Sequence, residues 1–140
     1  MPSTSDVTWT EPIARSADDV WNAVRDFGCS SWSSVEITVE GDGQGAIRTV
    51  HMPNGAVSER CERLDDAARV LSYSIVSGNP FPISDYLATM TVCPVDADSS
   101  ELVWSATWQT DEDPEPLEAN LTRFIRGTAR VLRRALDGTD

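Results

Sequence analysis

The sequence predicts an α+β fold in which a curved antiparallel sheet of seven strands surrounds one long C-terminal helix. Most of the chain between residues 35 and 110 alternates in the manner of β-strands, and Asn54-Gly55 is a strong signal for a tight hairpin turn. Residues 114–138 instead carry apolar side chains at helical spacing. With 140 residues, 40% of them hydrophobic, the chain 1–140 is expected to form one domain with a buried core.

The N-terminal part is expected to contain one strand and then two short helices. Residues 7–13 alternate apolar and polar side chains, which favours a strand at a sheet edge. Ser16 stands three residues before Asp19, a pattern typical of a helix N-cap, and apolar residues at helical spacing follow as far as Gly28. The segment 29–34 indicates a second short helix or a tight turn, of which we expect the helix.

Six further strands follow before the final helix. Alternation and turn residues place them at about 35–40, 45–52, 58–66, 70–76, 83–93 and 102–109. A proline-interrupted loop is expected at 77–82, and a polar turn at 94–100.

The final helix is expected to begin at Pro114 and to end at Gly138. Its predicted buried stripe consists of Leu117, Leu121, Phe124, Ile125, Thr128, Leu132 and Leu136. Five arginines lie on the other side: Arg123, Arg126, Arg130, Arg133 and Arg134. We interpret them as a solvated face and not as a nucleic-acid patch, because the rest of the chain is strongly acidic.

Net charge excludes several classes of partner. A formal charge of −12 and a pI near 4.3 repel phosphate, so neither nucleic-acid binding nor binding to an anionic membrane surface is expected. The N-terminus has no signal-peptide pattern, and no apolar run is long enough for membrane insertion. Cys29, Cys61 and Cys93 lack the spacing of a disulfide framework or a zinc site, which indicates reduced thiols and a cytoplasmic location.

Few residues are available for cofactor or metal chemistry. All 11 basic residues are arginines, so Schiff-base chemistry on lysine is excluded. His51 is the only histidine, which rules out a cluster of histidine ligands and favours a surface position for that side chain. No cofactor and no metal are therefore expected. Glu59, Asp85 and the two tyrosines remain as candidate acids and bases.

The hairpin around Asn54-Gly55 raises the question of where its charges point. A two-residue turn at Asn54-Gly55 would place Val50 opposite Glu59 and would make Arg48 a diagonal neighbour of Glu59. One face would then contain Arg48, Val50, Met52, Val57, Glu59, Cys61 and Arg63. Facing inward, Arg48 and Glu59 would form a buried ion pair or a polar anchor for a ligand; facing outward, they would be an ordinary surface pair. The pattern leaves both alternatives open.

The aromatic residues on strands present a similar choice. Tyr73, Tyr86, Trp104 and Trp108 could line a pocket, with the two hydroxyls as polar groups. They could equally be plain core residues, which is the commoner fate of aromatic residues at strand spacing.

Six short motifs resemble those of the START-like, polyketide cyclase/dehydrase (SRPBCC) superfamily over nearly the whole chain. In chain order they are ADDVWNAVRDFG (17–28), GAIR (45–48), SER (58–60), LDD (64–66), YSI (73–75) and DYLAT (85–89). The resemblance implies a helix-grip architecture, in which a seven-stranded sheet closes over the C-terminal helix and leaves a ligand cavity between them.

The middle of the chain is also similar to the plant abscisic-acid receptors. Residues 52–56 occupy the place of the gate loop in these receptors, and residues 78–82 that of their latch. This implies gate-loop roles for Pro53, Asn54, Gly55, Asn79, Pro80 and Phe81, and pocket-facing positions for Glu59 and Tyr86. The chain departs from the receptors in having Ser33 near the place of their carboxylate-binding lysine, and Phe81-Pro82 in place of their His-Arg latch pair. The resemblance therefore implies a pocket with gate loops, but neither binding of the hormone nor binding of a phosphatase partner.

Three functional hypotheses follow. The first is a binding protein for a hydrophobic small molecule, such as a polyketide, a lipid or an isoprenoid-like compound. Its expected ligand-binding residues are Trp32, Arg48, Glu59, Cys61, Tyr73, Tyr86, Trp104, Trp108 and Phe124. The second is a polyketide cyclase, aromatase or dehydratase that uses Glu59 or Tyr86 as its acid or base. The third is a regulatory module that binds a partner protein through the gate loops; a homodimer is left open.

Overall fold

The computed structural model describes residues 2–140 and confirms the expected α+β fold class. Its elements in chain order are β1 (Ser3–Ile13), α1 (Ala17–Arg25), β2 (Glu36–Glu40), β3 (Ile47–Met52), β4 (Gly55–Asp65), β5 (Val70–Ser77), β6 (Ser84–Asp96), β7 (Ser99–Thr110) and α2 (Pro114–Asp137). The seven strands form one antiparallel sheet in the order β1-β7-β6-β5-β4-β3-β2. β1 and β2 are thus the two edges of the sheet.

The sheet bends because several of its strand pairs contain an extra residue. The register shifts twice between β4 and β5, at Glu62 and at Val76, and shifts again near each end of the β6–β7 pair. Such bulges bend a strand and increase its twist. A bent sheet has a concave face that can enclose a helix and a cavity.

Both helices begin where the sequence predicted, and α2 also ends at the predicted Gly138, whereas α1 ends before the expected Gly28. The Ser16 side chain accepts a hydrogen bond from the backbone N–H of Asp19 at the start of α1. At α2 the Asp113 side chain caps the first turn, and Gly138 ends the helix in the left-handed conformation. α2 packs mainly against β1 and β7, at one edge of the sheet. The other edge, formed by β3 and β2, lies farther from this helix.

The prediction of a second short helix after β1 is wrong. Within the described chain, residues 26–34 form a series of turns after the single helix α1. Cys29 has a φ of 54°, which interrupts a right-handed helix. The Asp26 carboxylate accepts hydrogen bonds from the backbone N–H groups of Gly28 and Ser30, and these bonds favour a turn over a helix.

The register between β3 and β4 differs from the one that a two-residue turn at Asn54-Gly55 would give. Met52 pairs with Gly55, so the turn residues are Pro53 and Asn54, and Arg48 lies directly opposite Glu59. A shift of two residues keeps every side chain on its predicted face, because side chains in a strand alternate with period two. Arg63 is the exception: the bulge at Glu62 turns it outward, where it is exposed.

The core lies between the concave face of the sheet and the two helices. β6 and β7 supply its centre, with Met90, Leu102 and Trp104 each at most 4% exposed. The predicted polar turn at 94–100 is shorter than expected, since β6 continues to Asp96 and β7 starts at Ser99. Over residues 2–140, neither helix combines the length and apolar character that crossing a membrane requires.

Candidate functional site

A cavity of about 680 Å³ lies between the concave face of the sheet, the turns at 29–35 and one side of α2. This volume falls within the range of roughly 300–1,000 Å³ that is typical of small-molecule sites. Its wall is mostly apolar and includes Val24, Val35, Ile37, Val50, Met52, Val57, Ile75, Met90, Leu121 and Val131. The cavity reaches the surface where Val35, Met52, Phe124 and Val131 line it, since each of these is 42% to 49% exposed.

The charged residues of the wall are concentrated in one buried ion pair. Arg48 Nε donates to Glu59 Oε1 at 2.7 Å, and the two side chains are 8% and 14% exposed. Arg48 Nη1 also donates to the Phe27 carbonyl at 3.2 Å and contacts Cys29 Sγ at 3.5 Å. The inward alternative for Arg48 and Glu59 is therefore the one that the structure adopts.

Two aromatic rings surround the Arg48 guanidinium. Its central carbon lies 4.2 Å from the ring centre of Phe27 and 4.6 Å from that of Tyr73. Burial has the largest single effect on the pKa of Arg48 and lowers it, but the Glu59 carboxylate together with Cys29 and Tyr73 outweighs burial, so the net shift is upward. Arg48 therefore stays charged, with its charge already compensated.

Tyr73 and Tyr86 lie side by side next to this ion pair, with ring centres 6.5 Å apart. Burial raises the pKa of both hydroxyls, and the negative charge of Glu59 raises each of them further. Both tyrosines are thus protonated near neutral pH and can act as hydrogen-bond donors. We call Arg48, Glu59, Tyr73 and Tyr86 the polar cluster.

Alternation along β6 places Tyr86 in the cavity. Tyr86 is in phase with the buried residue Ala88, whereas Leu87 between them is 40% exposed. Just before Tyr86 the strand is irregular, since Asp85 has a φ of 53° and the register with β7 shifts between Ser84 and Leu87. Asp85, one of the candidate acids and bases, lies outside at the start of the strand and is exposed.

Two tryptophans of the wall have indole N–H groups without a partner. Trp32 Nε1 and Trp104 Nε1 are buried, and neither makes a hydrogen bond of normal geometry to another described residue. The Trp104 N–H does lie close enough to the Tyr73 hydroxyl to lower its pKa slightly. These groups are donors that a ligand oxygen could satisfy after a small side-chain movement.

Most of the expected ligand-binding residues lie at the cavity, but two do not. Trp32, Arg48, Glu59, Tyr73, Tyr86, Trp104 and Phe124 all line it. Cys61 and Trp108 are buried in the core behind the wall, at 2% and 1% exposure. Phe124 was expected in the buried stripe of the last helix, yet it is 49% exposed at the cavity mouth. The lone histidine, His51, is exposed on the sheet beside Thr38.

The two predicted gate loops meet at one side of the mouth. Gly78 lies so close to the backbone of Ala56 that a Cβ there would come within 2.0 Å of the Ala56 carbonyl oxygen. Pro80 and Phe81 line the cavity, and the Phe81 ring packs edge-on against Phe124 of α2 at 6.4 Å.

The remaining gate-loop residues lie off the cavity wall. The Asn79 side chain accepts a hydrogen bond from the N–H of Phe81 and so shapes its loop. Pro53, Asn54 and Gly55 form the exposed tip of the β3–β4 hairpin.

The contribution of Phe27 and Cys29, in the turns that follow α1, was not predicted from the sequence, although that of Trp32 was. The Phe27 carbonyl and the Cys29 thiol hold Arg48, and burial raises the pKa of that thiol although Arg48 opposes the shift. The signal was present as Phe27-Gly28-Cys29, an apolar and small-residue segment between a helix and a strand. It carries no charge, and only the folded chain places it next to Arg48.

Solved structures of similar fold cover nearly the whole chain. The protein XoxI from Bacillus cereus is 24% identical, with a TM-score of 0.83 over 94% of this chain and 95% of that one. Norcoclaurine synthase from Thalictrum flavum, in complex with dopamine and hydroxybenzaldehyde, is 19% identical, with a TM-score of 0.75 over 95% and 86%. The Zhui aromatase/cyclase from a Streptomyces species is 18% identical, with a TM-score of 0.72 over 96% and 92%. These likenesses establish the helix-grip fold.

A comparison with curated proteins finds no match to this chain. The sequence model of one family, described as polyketide cyclase / dehydrase and lipid transport, matches residues 4–139. Since this match extends over almost the entire chain, the protein belongs to the polyketide cyclase/dehydrase and lipid transport family.

Proposed function

We propose that the protein binds a hydrophobic small molecule in the cavity between the sheet and α2. The observation that carries the proposal is the cavity of about 680 Å³, whose wall is apolar except for the polar cluster and a few groups near the mouth. An apolar wall with a few convergent polar groups is the usual composition of a ligand site. The family includes proteins of lipid transport and polyketide chemistry, so a polyketide, a lipid or an isoprenoid-like compound is the expected ligand class.

Binding of the neutral fluorescent probe N-phenyl-1-naphthylamine tests this proposal. We expect saturable fluorescence enhancement with one probe per chain. Val50 lies on the wall, and its replacement in Val50→Trp should fill part of the cavity and weaken probe binding by at least about tenfold. Thr49→Trp is the matched control, because Thr49 precedes Val50 on β3 and faces Ser58 on the outer side of the sheet.

The control should bind the probe as the wild type does. Circular dichroism establishes that both variants are folded. If wild-type protein does not bind the probe, or if Thr49→Trp weakens binding as much as Val50→Trp, the proposed cavity site is wrong.

A second candidate function is a cyclase or dehydratase reaction in the same cavity. The observation that favours it is that Glu59 and the protonated Tyr86 line the same cavity, where the charge of Glu59 raises the pKa of Tyr86. Glu59 would accept a proton from the carbon beside a ketone, and the electron pair of the broken C–H bond would move to the ketone oxygen. Tyr86 would donate a hydrogen bond to this enolate oxygen.

The linear triketone heptane-2,4,6-trione is a suitable substrate for this candidate, because ring closure with loss of one water gives a phenol. We expect Glu59→Gln to lower the rate by about 10²–10⁴-fold while binding of the naphthylamine probe persists. Glu62→Gln, which removes an outward-facing carboxylate of the same strand, should keep the wild-type rate. A wild-type rate equal to the uncatalysed background would exclude this reaction and leave the binding proposal intact.

A further inference from the structure

We propose that the polar cluster selects an uncharged hydroxyl or phenol group of the ligand and discriminates against a carboxylate. This inference rests on the proposed function, since it specifies the ligand chemistry of the same cavity. It follows from how the charges of the cluster are already paired.

The positive charge of Arg48 is already compensated by Glu59. Its guanidinium makes one ion pair and one backbone hydrogen bond, and it contacts a thiol. Aromatic rings lie 4.2 and 4.6 Å from its central carbon. These contacts engage Nε and Nη1, so a ligand carboxylate could approach Arg48 only at Nη2 or by displacing Glu59. In either case two negative charges would share one buried positive charge in an apolar space, which is unfavourable.

Glu59 and the tyrosines offer partners to a hydroxyl group instead. Glu59 Oε1 is engaged by Arg48, whereas Oε2 has no hydrogen-bond partner within residues 2–140. A ligand O–H can donate to Oε2, and its oxygen can accept a hydrogen bond from the protonated Tyr86. The hydrogen bond from the ligand O–H to Glu59 is the stronger of these two bonds, because its acceptor is charged. A ligand carboxylate has no O–H to donate and cannot form it.

The other cation of the described wall lies at the mouth. Arg123 is exposed, and its Nη1 donates to Asn120 at 3.2 Å. Water screens a charge in this position, so Arg123 can attract an acid only weakly. An acidic ligand would therefore keep its carboxylate near the surface and would not reach the polar cluster.

Titration of the wild-type protein with two probes of similar shape, 1-naphthalenemethanol and 1-naphthoate at pH 7.5, tests the inference directly. Displacement of N-phenyl-1-naphthylamine or isothermal calorimetry gives the two affinities. We expect the alcohol to bind at least about tenfold more tightly than the carboxylate, because only the carboxylate must oppose the Glu59 charge. This comparison needs no variant.

Glu59→Gln should remove the preference for the alcohol. It leaves the Arg48 charge uncompensated on the cavity wall, so 1-naphthoate should bind at least about tenfold more tightly than it does to the wild type. The double variant Arg48→Gln/Glu59→Gln has no charge at either position, so the gain in affinity for 1-naphthoate should disappear. Glu62→Gln is the matched control. Glu62 is an outward-facing carboxylate paired with Arg60 at 2.9 Å, and its replacement should keep the preference of the wild type.

The outcomes separate this inference from the proposed function. If wild-type protein binds the naphthylamine probe but binds 1-naphthoate as tightly as the alcohol, the inference is overturned and the binding function stands. The same conclusion applies if folded Glu59→Gln gains no affinity for 1-naphthoate. If none of the three probes binds, both proposals fall. If Glu59→Gln does not fold, the wild-type comparison alone decides.

Discussion

At the scale of single residues, Glu11 and Arg133 connect the first strand to the last helix through a buried ion pair. Glu11 is 2% exposed, and its two oxygens accept hydrogen bonds from Trp9 Nε1 at 2.8 Å and from Arg133 Nη1. The Arg133 side chain is 14% exposed, and the Trp9 ring also lies within 5.8 Å of Arg126 and Arg130. This pair fixes α2 over β1 and thereby helps to position the helix that closes the cavity.

We predict that Glu11→Gln lowers the free energy of unfolding by about 3 kcal/mol, because it leaves the buried Arg133 charge without its partner. Urea denaturation monitored by circular dichroism measures this change. The double replacement Glu11→Leu/Arg133→Met removes both charges and should lower the free energy of unfolding by less than the single replacement does. A smaller loss of unfolding free energy in Glu11→Gln than in the double variant would contradict this account.

Glu62→Gln provides the matched control for Glu11→Gln. Glu62 also pairs with an arginine, at 2.9 Å, but the two side chains are 34% and 48% exposed. Exposed pairs of this kind contribute about 0–1 kcal/mol. The contrast between the two carboxylates therefore measures the effect of burial.

Residue positions were predicted correctly where alternation alone decides them. Glu59 and Arg48 face the same side in the predicted and the observed registers, because the two differ by two residues. Arg63 and Arg133 were assigned wrongly. A bulge at Glu62 reverses the alternation before Arg63. Arg133 is drawn inward by Glu11, which lies on β1, 122 residues earlier in the chain.

At the scale of elements, the loop at residues 78–83 and α2 meet across the mouth of the cavity through Phe81 and Phe124. The ring centres are 6.4 Å apart and nearly perpendicular, an arrangement that contributes about 0.5–1.5 kcal/mol beyond area burial. Phe81 is half-buried and Phe124 is exposed. The contact can therefore open at low cost.

We predict that Phe81→Ala speeds dissociation of N-phenyl-1-naphthylamine by roughly 3–10-fold, in proportion to the lost aromatic contact. Stopped-flow displacement measures the dissociation rate. Phe124→Ala should act similarly, and the double variant should be no faster than the faster single one if the two rings act as a pair. Val76→Ala, at a 43% exposed position away from the wall, is the control. Equal rates in Phe81→Ala and the wild type would contradict a gating role for this contact.

Some elements were predicted wrongly because the spacing of apolar residues does not reveal local backbone conformation. The helix expected at 29–34 is replaced by turns because Cys29 adopts a positive φ, which is unusual for a residue with a side chain. The β6–β7 connection was expected to be long because residues 94–100 are polar and turn-like. The strand instead continues past Pro94, which pairs with β7. The pairing of β6 with β5 ends at Thr91, so Pro94 lies where β6 is an edge on that side, a position that tolerates proline.

At the scale of the whole molecule, the cavity results from a bent sheet that a single helix covers only in part. α2 packs mainly on β1 and β7, whereas the wall on β3 and β4 faces the open space. The sequence indicated this arrangement through strands that carry charged residues among apolar ones on one face. The sequence could not predict the volume of the cavity or the position of its mouth, because both depend on the bulges that set the curvature of the sheet.

Both tyrosines of the chain belong to the polar cluster, so the phenol absorbance of the whole molecule reports on this one site. Burial and the charge of Glu59 raise the pKa of Tyr73 and of Tyr86 in the folded state, whereas unfolded tyrosine titrates near about pH 10. The folded state thus holds these protons more tightly than the unfolded state does. The resulting stabilisation is complete below about pH 10 and is lost as the pH rises above that value.

We predict that tyrosinate absorbance at 295 nm stays low in the folded protein as the pH passes about 10, and that it appears only together with loss of the circular dichroism signal. Burial also raises the pKa of the Cys29 and Cys61 thiols, which adds to alkaline destabilisation in the same direction. Tyr86→Phe should halve the absorbance step without separating it from unfolding. A titration in which tyrosinate forms near about pH 10 while the fold remains intact would contradict this prediction and would show that the polar cluster is open to solvent.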